Sequence, residues 1–391
     1  MIGPCLQLAW RYVARHRLQT LLLAGALALV ISLPLCLRVL VQATEAAMHD
    51  RAVSTPQLLG ARGSALDLML SALYFKRQPL PAIEMQHLDD LRAADLGTAI
   101  PLDVRYHAQG APIVGTEIEY FTFRRLSLSQ GKMITRLGDC VLGARLAAQR
   151  GLKPGDAIFS TQEQVFDMAG VYPLKMRVTG VLTANGTPDD DAVFVDLKTV
   201  WLISGLAHGH DDVAAAQDAV LKKEGDNTVA NASVRMFNEV TERNLDSFHF
   251  HGDTGAYQAS AIIIVPRDAK SEALLAGRYL KSTLPVQLIR PSEEFDALMS
   301  TLFQMQTLAL SVLAITLGAA LAIAALVFAL SFRLRRREFT TLGDLGISPS
   351  ALALTKLLEI TLVGSAGLLL ALALTALVQA NAQAWVRLLL A

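Results

Sequence analysis

The stretch RLRRREFTTLGDLGISPSALALTKLLE, residues 333 to 359, decides the reading of this chain because it separates two long apolar segments. Ala297 to Phe332 on one side and Ile360 to Val386 on the other carry no charged residue. Arg333, Arg335, Arg336 and Arg337, clustered at a membrane exit, mark the cytoplasmic face. The hairpin so placed points into the cell.

Working outward, composition sets the class. Hydrophobic residues make up 52% of the 391 and charged residues only 18%. That is too apolar for an ordinary soluble chain, and the chain is too short for a many-span carrier. A few membrane spans joined to one large folded part fit both facts. Thirty-five basic residues balance 35 acidic ones, which argues against a nucleic-acid partner. Cys5, Cys36 and Cys140 fall in an N-terminal segment, an apolar run and the folded part, and suggest no disulfide framework.

Leu18 to Leu37 is an uncharged run of 20 residues, the length a helix needs to cross about 30 Å of hydrocarbon. Arg11, Arg15 and Arg17 precede it with no acidic residue, which places the N-terminus inside. The run is long for a signal peptide, and Arg38 leads into no cleavage site of the usual spacing, so the segment is expected to stay as an anchor. The second span lies within Leu308 to Phe332. Its helix is expected to begin well outside the membrane, with Ser292 as N-cap and Glu293 and Glu294 in the first turn. The third runs from Leu357 to Val378. Three spans leave the C-terminus outside, where Trp385 and Arg387 suit an interfacial anchor. Gly318 with Ala322, and Gly364 with Gly367, offer small faces for helix packing; the plainer alternative is that small residues simply fill membrane helices.

Residues 42–296 read as a folded extracytoplasmic domain. Alternation in LKMRVTGVL (Leu174 to Leu182) and the run DAVFVDL (Asp191 to Leu197) indicate strands. AIIIV, RDAKSEALLAGRYLKS and PVQLI read as strand, helix, strand. A mostly antiparallel α+β domain fits, with Val213 to Asn231 as an exposed insertion. The sequence contains no G-x-x-x-x-G-K-[ST], H-E-x-x-H or G-x-S-x-G, so an enzyme is disfavoured.

At the hairpin the sequence resembles the permease subunits of type VII ABC transporters, the MacB, LolC/LolE and FtsX type. Arg335, Arg337, Glu338 and Phe339 are similar to that family's R-x-R-E-[IF]. Leu342, Leu345, Gly346 and Ser348 are similar to its L-x-x-L-G-[AI]-S, and Leu357, Leu358 and Glu359 open the next span. LAWRYVARHRLQTLLL near the N-terminus, and VLGARLAAQRGLKPGD and VTGVL in the outer part, extend the resemblance over nearly the whole chain. Gly343 stands where the family usually has a basic residue, and three spans are read where it usually has four.

The resemblance implies an inner-membrane, multi-pass protein with a cytoplasmic N-terminus and a MacB-like periplasmic core domain. It implies a homodimer, or pairing with a paralogue, and docking of the hairpin onto a separate ABC ATPase. Magnesium and ATP would sit in that partner, and this chain would hold no nucleotide. Hydrolysis would be relayed to the outer domain as movement, acting on a periplasmic or lipid-associated substrate. Arg336, Arg337, Glu338, Leu342, Leu345, Gly346 and Ser348 are the expected docking residues; a positive-inside cluster with no partner is the alternative. The chain then divides into residues 1–17, a cytoplasmic helix; 18–41, the first span; 42–296, the extracytoplasmic α+β domain with its stalk; and 297–332, stalk and second span. Residues 333–356 form the coupling hairpin, 357–379 the third span and 380–391 an interfacial tail. An FtsX-like regulator of a cell-wall hydrolase is a second reading.

A third follows from histidine. His208 and His210, then His249 and His251, form two H-x-H pairs beside Asp211, Asp212 and Asp253. Residues two apart on extended backbone point the same way, so each pair suits a zinc ion, with nickel or copper also compatible. The rival reading is two polar loops. Asp189, Asp190 and Asp191, after Gly186, Thr187 and Pro188, read as a solvated turn.

Overall fold

Apolar residues in runs too long for a globular core determine one half of the architecture. The structure, a computed structural model, describes residues 2–161, 173–209, 220–224, 227–230, 238–250, 252–280, 283–382 and 385. Three helical segments there are long and apolar enough to cross a membrane: Arg17–Ala43, Thr307–Leu334 and Pro349–Ala380. The chain divides into one unit of residues 1–48 and 297–391 and a second of residues 49–296.

The first unit holds the helix Ile2–Arg15, the three apolar helices and the short helix Arg336–Asp344. Ile2–Arg15 lies against the third apolar helix, where the Cys5 thiol donates to the Ala351 carbonyl at 3.6 Å. The first helix passes through Pro34 and packs on the third at Gly367. Ala24, Leu27 and Ala28 on one, and Val363 and Ala371 on the other, are buried. Leu21, Leu22, Leu29, Ile315 and Leu326 face outward, an apolar exterior suited to lipid.

In the second unit, strand-forming runs build a twelve-stranded mixed sheet among the described residues. Its main path runs Asn238–Glu239, Leu174–Leu182, Asp139–Leu142, Val193–Asp196, Ala111–Thr116, Gly97–Asp103, Ala261–Pro266, Gln57–Ala61, Val286–Ile289. From Ala111–Thr116 to Val286–Ile289 the pairs are antiparallel, as expected. The other half is not: Leu174–Leu182 is parallel to both of its path neighbours, and Val193–Asp196 is parallel to Ala111–Thr116. Parallel neighbours need a crossover longer than a hairpin turn, and the connection after Leu142 includes the helix Ala144–Arg150.

Buried apolar side chains form two clusters. One gathers Ile113, Cys140, Leu142, Met176, Val178 and Val193; the other gathers Leu59, Leu88, Leu91, Ile262, Leu275 and Tyr279. The strand, helix and strand expected from AIIIV onward are Ala261–Pro266, Ala269–Leu280 and Val286–Ile289. The next helix opens at Pro291 rather than behind a Ser292 cap; the Arg290 carbonyl accepts the Glu293 and Glu294 N–H groups at 3.0 and 3.2 Å. Proline suits that first position because its missing N–H would lack a helical partner anyway. Of the expected insertion, Val213 to Asn231, the strands Val220–Glu224 and Asn227–Ala230 pair antiparallel as a two-stranded sheet of their own; the remainder lies outside the described residues.

Candidate functional site

The basic hairpin is organised around Arg335. Its guanidinium binds both carboxylate oxygens of Glu359 on the third apolar helix, at 3.1 and 2.9 Å, and donates to Glu338 one turn ahead at 3.1 Å. It also lies 3.4 Å over the Tyr12 ring and 4.8 Å from the Phe339 ring centroid. One planar cation thereby ties the N-terminal helix, the short helix Arg336–Asp344 and the third apolar helix. Delocalised charge and forked donors make arginine suited to such simultaneous pairing and stacking. Tyr12 also meets Ser331 at 3.3 Å between hydroxyls, and Lys356 covers the rings of Phe339 and Phe332 at 4.4 and 5.6 Å. Phe339 is the buried anchor of the short helix.

The expected docking residues separate into two groups. Arg336, Arg337 and Glu338 are exposed, and Leu345 is 75% exposed at the helix C-terminus. Leu342 is half-buried. Gly346 and Ser348 shape the turn: Gly346 sits at φ 90°, where a side chain is strained, and the Ser348 hydroxyl caps the third helix by accepting from the Ala351 N–H at 3.3 Å. Glu359, one of the residues that open the third span in sequence, is a buried ion-pair partner. Its position in an apolar helix, one cytoplasmic-hairpin length from an arginine cluster, was the available signal. Of the small residues, Gly367 touches the first apolar helix, a Cβ there lying 3.1 Å from the Ala24 carbonyl oxygen. Gly318 and Gly364 have open space above them, and Ala322 is exposed.

The second unit contains a buried network that the sequence reading missed. Arg51, in the last turn of the helix Arg17–Val53, donates to both oxygens of Asp189, at 2.7 and 3.0 Å, and to the Tyr120 hydroxyl at 2.9 Å. It also donates to the Leu73 carbonyl. Tyr120 in turn donates to Asp189 at 2.8 Å, and Thr187 does so at 2.9 Å. Burial pushes the Asp189 carboxyl upward, but the Arg51 charge and the hydrogen bonds from Arg51, Tyr120 and Thr187 outweigh it and hold it below the ordinary carboxylate range. Burial raises Tyr120 above the usual phenol range and pushes neighbouring Tyr74 up to about 12. Arg124, lowered by burial and by the like charge of Arg51, donates to Ser54 and Thr55 at 3.0 and 2.8 Å.

The aspartate run is therefore not a solvated turn. Asp190 is also buried and accepts the N–H groups of Asn185 and Gly186, at 3.1 and 2.8 Å. Asp191 pairs with Arg145. Gly143 packs so closely on this loop that a Cβ would lie 2.3 Å from the Asp189 carbonyl oxygen.

Residues 20–223 match the family described as the MacB-like periplasmic core domain. That is more than half of the chain. The chain belongs to this family. Membership makes it an ABC transporter-type permease subunit with a MacB-like extracytoplasmic domain, as the hairpin resemblance implied. Such subunits are generally not catalytic themselves, and the family implies an ABC ATPase as partner. Among solved structures, the periplasmic region of MacB from Actinobacillus actinomycetemcomitans is 13% identical, with 64% of this chain and 94% of that one covered and a TM-score of 0.36. The extracellular domain of the noncanonic ABC-type transporter YknZ from Gram-positive bacteria is 11% identical, with 60% and 99% covered and a TM-score of 0.33. No curated protein matches the chain.

Within the MacB-like domain, strand Ala207–Gly209 pairs antiparallel with Phe248–Phe250, which sets His208 opposite His249. His210 and His251 lie outside the described residues. Among the described residues no group of three or more His, Cys, Asp or Glu is placed to hold a metal ion.

Proposed function

We propose that this permease subunit transmits ATP-driven movement from a separate ATPase to its extracytoplasmic domain. The hairpin faces the cytoplasm of an inner membrane and docks in the ATPase through Arg336, Arg337, Glu338, Leu342 and Leu345. The observation carrying this reading is Arg335: it fastens the short helix to two neighbours while the adjacent Arg336, Arg337 and Leu345 stay exposed. A displacement of that helix reaches the apolar helices because the connection is a buried ion pair, Arg335 Nη1 reaching both Glu359 oxygens, rather than a flexible loop.

Both helices through which the chain passes between its two units, Arg17–Val53 and Pro291–Leu334, are unbroken in sequence. The Arg51 network fixes the last turn of one, and the 5.5 Å edge contact of His49 with Phe295 joins it to the first turns of the other. These contacts support a relay in which helix ends and domain move as one piece. A second copy packs against the Gly318 and Ala322 face, giving a homodimer with two ATPase copies, and a periplasmic or lipid-associated molecule is the substrate class.

Mass spectrometry of proteins retained by tagged full-length chain, purified in mild detergent, tests the reading. Recovery of a P-loop ATPase is expected. An extracytoplasmic hydrolase without an ATPase would favour an independent regulator instead.

A further inference from the structure

The third apolar helix, Pro349–Ala380, carries two charged residues among its 32, Lys356 and Glu359, both near the end that bears the hairpin. At about 1.5 Å per residue it extends on the order of 48 Å, beyond the roughly 30 Å of hydrocarbon that a span must cross. A charge so close to an apolar span requires a partner or the headgroup layer. Glu359 has its cation in Arg335, which also takes Glu338. Lys356 is placed differently. Its ammonium lies 4.4 Å from the Phe339 ring centroid and 5.6 Å from that of Phe332, and among the described residues no carboxylate pairs with it. Ring faces hold a cation in place without cancelling its charge, and an ammonium has three donors to offer. Arg333 directly follows Phe332, is exposed, and likewise pairs with no carboxylate among the described residues. The two helices carrying these cations also expose Leu330, Leu334, Leu357 and Ile360.

We propose that Lys356 and Arg333 bind the headgroup phosphate of an anionic phospholipid, with its acyl chains along the exposed leucines of the two helices. Hydrogen bonds from these cations to a phosphate are charge-assisted and strong. A headgroup that brings only negative charge satisfies both residues, whereas choline would add a cation beside them. A free phosphate offers the same acceptors but leaves the adjoining apolar surface uncovered. The ammonium that meets the lipid also covers Phe339, the buried anchor of the short helix, so bound lipid steadies the hairpin. The site does not depend on the ATPase docking proposed above, because neither residue belongs to the docking set. It does not depend on orientation either, since both leaflets present phosphates at this level.

The test uses the full-length chain in mild detergent, stripped of lipid and titrated with dioleoylphosphatidylglycerol or dioleoylphosphatidylcholine, with bound lipid counted by native mass spectrometry. Preferential retention of phosphatidylglycerol is expected, weakened about fivefold in Lys356→Gln and in Arg333→Gln, kept in Lys356→Arg and unchanged in Arg38→Gln at the other end of the first apolar helix. Thermal melting provides a second readout. Phosphatidylglycerol should raise the melting temperature of the wild type and of Lys356→Arg but not of Lys356→Gln, and melts without lipid separate loss of the site from loss of fold. Equal retention of the two lipids overturns the proposal, as does wild-type retention in Lys356→Gln. Equal protection by inorganic phosphate alone would also overturn it, since the acyl chains would then contribute nothing.

Discussion

Arg51 donates to both carboxylate oxygens of Asp189, at 2.7 and 3.0 Å, although 138 residues separate them in the chain. The pair fastens the last turn of a helix to a loop of the sheet, and both side chains are almost fully buried. A buried pair is weak evidence for net stability, because desolvation offsets the attraction. It is strong evidence for a fixed geometry, since either partner left alone is an uncompensated charge.

Removing one partner is therefore the sharper perturbation. Arg51→Met or Asp189→Leu alone should cost about 3–5 kcal/mol of domain stability, whereas the double variant should recover much of that loss. Denaturant melts of the full chain, followed by near-ultraviolet circular dichroism, check the order of the three variants.

The same network sets a pH dependence. Asp189 is held below its ordinary value of 3.8, so the folded state binds fewer protons there than the unfolded one. Its stabilisation is present above that value and is lost as pH falls through the folded-state value. At the alkaline end Tyr74, raised from 10.0 to about 12, contributes stability below 10 that is lost as pH rises toward 12. Thermal melts across pH should show both limbs, with the acid limb shallower in Asp189→Asn.

Gly143 gives a steric test. A Cβ at this position would lie 2.3–2.4 Å from backbone atoms of Asp189 and Asp190. Backbone cannot move aside as a side-chain tip can, so Gly143→Ala should cost about 1–3 kcal/mol. Gly151→Ala would be strained for another reason, its positive φ, and is no substitute control. Gly277→Ala, with nothing within 4 Å in a helix, should be neutral or slightly stabilising.

In the hairpin, Arg335→Ala and Leu345→Asp should differ in kind. Leu345 is exposed at the end of its helix, so Leu345→Asp should change melting by no more than about 0.5 kcal/mol while reducing ATPase recovery. Arg335→Ala leaves Glu359 without its pair and should loosen the hairpin, seen as faster tryptic cleavage at Arg336 and Arg337. Glu359→Gln, which removes the charge and keeps the shape, should be milder than Arg335→Ala.

Much of this architecture was legible in the sequence because the signals are local. Uncharged runs beside Arg11, Arg15, Arg17 and Arg333 define apolar helices, and alternation in LKMRVTGVL defines a strand. The parallel half of the sheet was not legible, because pairing of Leu174–Leu182 with Asp139–Leu142 depends on tertiary packing. The Arg51 network was hidden for a related reason. Asp189 resembles a turn residue until Arg51, far away in sequence, supplies its counter-charge. Glu359 carries its own signal: an acidic residue at the edge of an apolar helix needs a cation, and Arg335 lies only 24 residues before it.

The most direct test of the relay is site-specific photo-crosslinking from position 345 in cells. A photoreactive residue in place of Leu345 should capture a P-loop ATPase, whereas one in place of Leu326, within the second apolar helix, should not. Efficient labelling at 345 without any ATPase among the products would contradict the account.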